Sequence, residues 1–585
     1  MFRKSTVLLG LVWLGLLMQT AMADEALPPA GQLIPQDAIV ALEVSQPKTV
    51  LDAVLDPKLT SVVTSSPVYQ KQVDNPGFQQ FRAVIAYLEA RLGTDWKTGL
   101  RKLVGGGVTF AATADGAVLL IVDAEDGKML GQLHEIILEF ARGEAQKQGQ
   151  PDRVASREYG GVTGWTLGKE EVHAIVGNRL VLSNRSEALK AALDRHAEGN
   201  GKSLASSPAY QAARKAAGPD AVARAFVNLK VIKQHPPVQK ALTENENPLA
   251  ALLFAGVTEA LRGSSWLSAG LHVEGDTLAL QATVDGKAVD AEGPAAFVLS
   301  GQPDDGALPN LNIPRRIAAL SLYRDLHAFY AAKDDLFPER TSGLIFFENM
   351  MGIFFSGLDL TEEVLGETRP EVRLVVAQQE YDPAAGMPQL QIPAFAAVFR
   401  LHNPEQFGEV VEEAWQKAVG LINFTRGQQA QPGLIIDRPT HGDTRFTMAY
   451  FRAPDEGERE NVDSRFNFRP AVARLGEYLI LSSTDGLAAD LIDALKQEAS
   501  QKVESLAEAH SLLEINAVQL ASILGANREN LVRKNMLDEG NTQQQAETET
   551  DLLLTVMKYF GRATLELGSH EGQPQAKLAV KLNLP

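Results

Sequence analysis

The sequence predicts an α+β protein made of two homologous halves, each a curved, mainly antiparallel sheet with helices packed on one face. Three observations predict it. First, Gly177-Asn178-Arg179-Leu180-Val181-Leu182-Ser183 is echoed by Gly476-Glu477-Tyr478-Leu479-Ile480-Leu481-Ser482, the serines lying 299 residues apart (482 − 183). A spacing that long indicates a duplicated domain, because solenoid repeats have far shorter periods. Second, 585 residues exceed what one core accommodates, so about two large domains are expected. Third, Leu278, Leu280, Ala282 and Val284, and again Ala576, Leu578, Val580 and Leu582, alternate with mostly more polar residues, the period of an antiparallel strand with one buried face.

The elements run in parallel through both halves. Ile34-Pro35 precedes the apolar run Ile39–Leu42, and Ile313-Pro314 precedes Ile317–Leu320. In the first half Asn75 is a helix cap and Pro76 the first helical residue, with Phe78, Phe81, Ile85, Leu88 and Leu92 on one face and Gly93 as the stop. Gly93-Thr94-Asp95-Trp96 has a counterpart in Gly357-Leu358-Asp359-Leu360. A strand at Val118–Val122 leads to Asp126 as cap of a helix with Leu130, Leu133, Ile137 and Phe140 inward. A strand at Phe395–Phe399 leads to Asn403-Pro404 and to Phe407, Val410, Val411, Ala414 and Ala418 at helical spacing. After the paired Gly-to-Ser strands come helices from about Ser186 and Thr484, then strands at Phe226-Val227-Asn228 and Glu514-Ile515-Asn516, then closing hairpins turned by Glu274-Gly275 and Glu571-Gly572. The second half carries two polar inserts, Ala453 to Asp463 and Asp538 to Glu549, read as surface loops.

The N-terminus reads as a cleaved secretory signal over residues 1–23. Arg3 and Lys4 form a basic start, Thr6 to Met18 an apolar stretch too short to span a bilayer, and Ala21-Met22-Ala23 a small-residue cleavage site. The expected domains are therefore 24–285, a linker over 286–308 containing Gly301-Gln302-Pro303-Asp304-Asp305-Gly306, and 309–585, the whole exported to the periplasm or the outside. The chain has no cysteine, which excludes disulfides, thiolate metal sites, a thiol nucleophile and a cysteine-linked lipid. Its net charge is −18; without Arg3 and Lys4 there are 53 basic against 73 acidic residues, or −20. That balance argues against nucleic acid as a partner and against a polybasic membrane patch.

No catalytic, cofactor-binding or metal-binding residue is assigned. Gly105-Gly106-Gly107 lacks the third glycine of a dinucleotide loop, since Phe110 occupies its place, and it follows a helix and opens a strand. Gly201-Lys202-Ser203 has His196 where a phosphate loop needs its first glycine. His134-Glu135 lacks the second histidine of a zinc-protease helix, and Asp126 suits a helix cap better than a calcium loop. No G-x-S-x-G elbow occurs. The pairs Glu362-Glu363 and Glu412-Glu413 sit on helices, where adjacent residues point apart. The most unusual segment is Leu344 to Phe355, apolar nearly all round except at Glu348 and Asn349. Such a helix is expected inside a large domain; the functional alternative is that Leu344, Phe346, Phe347, Met350, Met351, Phe354 and Phe355 line a cavity for an apolar ligand.

The signal sequence, the Ile-Pro opening strands, the Gly-x-x-Leu-[Val/Ile]-Leu-Ser turns and the repeated layout resemble a group of large exported bacterial proteins characterised only as domains of unknown function. The resemblance implies export and two related halves; it carries over no substrate, cofactor or catalytic residue. The resulting expectation is a non-enzymatic binding or envelope-associated structural protein, with an apolar ligand or an envelope protein as partner and no transmembrane span in the mature chain. The alternatives are an exported hydrolase with an unrecognised site and a purely structural interaction scaffold.

Overall fold

The structure, a computed structural model, describes residues 28–583 apart from 66–68, 71–72, 74, 169–170, 200–201, 244–246, 287–294, 299–304, 338–339, 383, 385, 456, 458, 502 and 507. The proposed signal sequence and residues 287–294 and 299–304 of the expected linker lie outside the described residues. The chain divides into two compact units: residues 1–239 with 264–285, and residues 240–263 with 286–585.

Among its described residues unit 1 has ten strands: β1 (Val40–Val44), β2 (Gly107–Ala112), β3 (Val118–Asp123), β4 (Ala155–Tyr159), β5 (Val162–Thr166), β6 (Val172–Val176), β7 (Arg179–Ser183), β8 (Ala223–Asn228), β9 (Trp266–Glu274) and β10 (Thr277–Val284). They pair antiparallel in the order β10-β9-β8-β1-β2-β3-β7-β6-β5-β4. Unit 2 has β11 (Arg316–Tyr323), β12 (Thr368–Ala377), β13 (Ala394–Leu401), β14 (Leu434–Asp437), β15 (Thr444–Phe451), β16 (Ala471–Leu475), β17 (Tyr478–Ser482), β18 (Ala509–Asn516), β19 (Phe560–His570) and β20 (Gln573–Leu582). Their antiparallel order is β20-β19-β18-β11-β12-β13-β17-β16-β15-β14. Adding ten to each strand number of unit 1 reproduces the order in unit 2. The α+β class is thus as expected.

Four helices of unit 1 matter below: α1 (Pro76–Leu92), α2 (Trp96–Val104), α3 (Gly127–Lys147) and α4 (Ser186–Glu198). Helix α5 (Pro248–Gly263) follows β8 in the chain but belongs to unit 2. Unit 2 adds α6 (Thr341–Phe354), α7 (Pro404–Gln428), α8 (Asp485–Ala499), α9 (Ala517–Ala526), α10 (Arg528–Glu539) and α11 (Gln543–Lys558). The local punctuation follows the sequence. The Asn75 side chain accepts from Gly77 N, Pro76 opens α1, and Gly93 ends it in the left-handed region at φ 64°. Asp126 accepts from Met129 N and starts α3, while Asp95 and Asp359 cap the next helical turns after Gly93 and Gly357. Gly106 is required because a Cβ there would stand 2.8 Å from the Asp123 carbonyl oxygen.

Helices cover both faces of each sheet rather than one. In unit 2, α8 packs Leu487, Leu491, Ile492 and Leu495 against Val375, Ala396, Val398, Ala471, Ala473 and Ile480. On the opposite face α7 packs Phe407 and Val411 against Val472 and Leu479. Unit 1 repeats this, with α4 over Val181 and α3 over Leu180. The reason lies in the central strands: consecutive residues such as Leu180 and Val181 are both buried, which one covered face cannot accomplish. Two further expectations are corrected. Phe81 and Phe140, placed on inward faces by periodicity, are 43% and 54% exposed. The polar insert after Asp538 is no loop but the end of α10 and the start of α11, where Thr542 and Gln545 form a reciprocal capping box.

Candidate apolar docking surface

Helix α6 carries all but the last of the residues proposed to line a cavity, and it is not buried. Leu344, Glu348, Met351 and Phe355 recur at intervals of four, three and four, and are half-buried. Phe355, Leu358 and Leu360 pack on the cluster of Val364, Leu401, Phe407 and Val411. Glu348 pairs with Lys333 at 3.3 Å, so the single charge of the helix is tied down. The other face is open: Ile345 is 51%, Phe346 70% and Ile353 71% exposed, and Asn349 is the polar residue among them. Of the seven proposed lining residues, Leu344, Met350, Met351, Phe354 and Phe355 are half-buried, while Phe346 and Phe347 are exposed. A surface helix ordinarily turns polar residues outward; α6 turns apolar ones both ways.

Its C-terminal end is fixed to α7. Ser356 and Gly357 leave the helix through the left-handed region, at φ 58° and 85°. Lys417 Nζ donates to the Phe354 carbonyl at 3.3 Å and to Ser356 Oγ at 2.5 Å, and it pairs with Glu413 at 2.7 Å. The Lys417 and Ser356 hydrogen bonds hold the Glu413 carboxyl below its ordinary pKa. Beyond this clasp the last turns of α7 expose Leu421, Ile422 and Phe424. Asn423 binds the backbone of Leu434 in strand β14, whose Ile435 and Ile436 are also exposed. Exposed apolar side chains thus stand on α6, on the last turns of α7 and on β14. Sequence reasoning named only those on α6.

Other polar clusters read as structural. The Arg324 side chain is wholly buried, and all five of its N–H donors are used, by the carbonyls of Leu252, Leu253, Tyr323 and His510 and by Ser511 Oγ. Burial lowers its pKa to about 10, so it stays charged at neutral pH. Buried His134 on α3 and His173 on β6 share a hydrogen bond between their Nε2 atoms, which requires one ring to donate and the other to accept, and Trp165 lies edge-on to His134. Burial, then the neighbouring ring, pushes His173 down to about 2. Glu412 accepts from Thr447 and Arg438, whereas Glu413 faces Lys417 and Ser356, so the adjacent carboxylates serve separate contacts. His510 touches Ser511, but its next charged neighbour is Arg324 rather than a carboxylate. Among the described residues no three histidine or acidic side chains cluster as metal ligands, and no helix is long and apolar enough to cross a membrane.

No family model matches the chain, and no curated protein does. Among solved structures, crystal form III of TP0453 is 11% identical over 47% of this chain and 86% of that one, with a TM-score of 0.25. Crystal form I of TP0453 gives 11% identity over 46% and 84%, with a TM-score of 0.24. Similarity at this level carries no inference, and the reading of this chain rests on its own surface: apolar side chains standing outward on α6, α7 and β14.

Proposed function

We propose that this is an exported, non-enzymatic, envelope-associated binding protein, built from two halves related by duplication, whose second half holds a lipid assembly through the α6–α7 surface. The single observation that carries the reading is the outward face of α6, with Phe346 and Ile353 about 70% exposed. Exposing Ile345, Phe346, Phe347 and Ile353 leaves on the order of 400 Å² of apolar area in water, the size at which a patch marks an interaction site. The face offers one side-chain amide, Asn349, as a hydrogen-bonding group. A specific protein interface carries roughly one hydrogen bond per 100–200 Å²; a partner that asks for area rather than direction suits this face better. Helix α6 has 14 residues, about 21 Å at 1.5 Å per residue, which suits lying in a bilayer surface rather than crossing it. The duplication is supported by the shared strand order of the two units and by the matched Gly-to-Ser strands β7 and β17.

The test is flotation of the mature chain with phosphatidylcholine vesicles, alone and with one fifth phosphatidylglycerol. The chain is expected to float with both, because its acidity gives anionic lipid no advantage. The F346S/I353S variant is expected to partition at least fivefold less. A wild-type chain that stays at the bottom of both gradients overturns the reading.

A further inference from the structure

Unit 1 holds a second apolar surface in the same topological place. Helix α1 lies between β1 and β2 in the chain, as α6 does between β11 and β12, and α3 follows β3 as α7 follows β13. Helix α1 has no fully buried residue. Phe78, Ile85, Leu88 and Leu92 are half-buried, whereas Phe81, Val84 and Tyr87, at intervals of three, are exposed. Tyr87 meets Phe140 of α3 edge-on, with ring centroids 5.4 Å apart, and Phe140 is itself more than half exposed. Trp96, the first residue of α2, is 43% exposed.

The chemistry around this patch differs from that on α6. Cations accompany its aromatic rings: Arg91 Nη1 donates to Tyr87 Oη at 2.5 Å, and Lys97 Nζ stands 5.8 Å from the centre of the Trp96 ring. Phe81, Val84 and Phe140 supply the wholly apolar part. Tyrosine and tryptophan prefer the headgroup level of a bilayer, where ring and polar atom find different surroundings. Lysine and arginine there bury their stems and present charge to phosphate. Arg91 is also paired with Glu139 at 3.2 Å, so Lys97 beside the Trp96 ring is the cation placed to meet a phosphate-bearing surface.

We infer that the α1–α3 face of unit 1 is a second membrane-surface docking site, with Phe81, Val84 and Phe140 in the acyl boundary and Tyr87 and Trp96 at the headgroups of a phospholipid bilayer. The inference rests on the lipid reading of α6 and extends it to the other unit.

The test uses the mature chain and phosphatidylcholine vesicles brominated in the acyl chains. Trp96 is read as the difference in fluorescence quenching between wild type and W96F. Quenching of Trp96 is expected, and per vesicle-bound chain it is expected to persist in F346S/I353S. The F81S/V84S/F140S variant changes only exposed positions and should keep its thermal midpoint, while Trp96 quenching falls at least threefold. If wild type floats but Trp96 is not quenched, and the triple variant partitions like wild type, the inference is overturned and the α6 reading stands. If wild type fails to float with any vesicle, both fall. Quenching lost with W96F but unchanged by the triple substitution also overturns the inference, because Trp96 would then reach lipid without this face.

Discussion

Asn423 replaces a missing strand for Leu434: its Nδ2 donates to the Leu434 carbonyl at 2.9 Å, and its Oδ1 accepts from the Leu434 N–H at 2.6 Å. Leu434 opens β14, the last strand in the order of unit 2, and pairs on its other side with Phe451. A side-chain amide on α7 therefore satisfies both outward backbone groups at this position, and it also blocks another chain from adding there. Gly433 makes room for it, since a Cβ at that position would stand 2.8 Å from Oδ1.

Replacing Asn423 by Ala should cost about 1–3 kcal/mol, the usual penalty for leaving paired backbone groups unsatisfied. Replacement by Asp should cost a similar amount, because a carboxylate accepts from the Leu434 N–H but cannot donate to its carbonyl. Urea unfolding measures the loss. Light scattering after size exclusion should show more self-association for Asn423→Ala than for wild type, as the short edge is opened.

Arg324→Met should be among the most damaging single changes in unit 2. It leaves the Leu252, Leu253, Tyr323 and His510 carbonyls without their donor, at a cost of at least about 3 kcal/mol. Arg324→Lys should recover only part of this, since an ammonium has three donors against five. Hydrogen exchange localises the effect: amides of α5 should lose protection first.

Phe346→Ser and Ile353→Ser should leave the thermal midpoint nearly unchanged, within about 0.5 kcal/mol, as expected at exposed sites. A large loss of stability would mean that these side chains are core in solution, and it would remove the surface on which the proposed function depends.

Acid should destabilise the protein through two histidines. His173 is pushed down to about 2 by burial and then His134, and His510 down to about 3 by burial and then Arg324. Unfolded, each titrates near about 6.5. Between that value and the folded one the unfolded chain binds protons that the folded chain does not. Stability is therefore complete above about pH 6.5 and falls as pH drops toward the folded values, by about 1.4 kcal/mol per pH unit for each histidine. Urea midpoints at pH 7.5, 6.0 and 5.0 check the sign, and His173→Gln should reduce the slope by about one proton whatever it does to the absolute midpoint.

What the sequence disclosed was local. Asn75, Asp126 and Gly93 announce helix ends because their effect acts within a few residues, whereas Asn403 precedes α7 without capping it, its side-chain amide donating to Glu367 instead. The continuous apolar run at Leu180-Val181-Leu182 also held the sign that both sheet faces are covered, although the alternating hairpins drew the reading toward one covered face. Periodicity identifies a helix face but not what meets it, so Phe81, Phe140 and, on α6, Ile345, Phe346, Phe347 and Ile353 are expected inside and lie outside. The pairing of His134 with His173 and the grip of Arg324 on Leu252 join residues 39 and 72 positions apart, and nothing near either residue signals the other. The exposed apolar residues of α7 and β14 escape the sequence reading for the same reason: Asn423 gives no hint of Leu434 until the chain has turned back.

The membership of α5 sets a rule for dissecting this protein. The chain enters unit 2 at residue 240, returns to unit 1 at 264 and leaves it again at 286. No single cut yields a complete half. A fragment starting at 286 would contain Arg324 but neither Leu252 nor Leu253, and a fragment ending at 285 would carry α5 without its anchor. During synthesis Leu252 of α5 is made 72 residues before Arg324 and far earlier than His510, so α5 must wait for the later chain before its anchor exists.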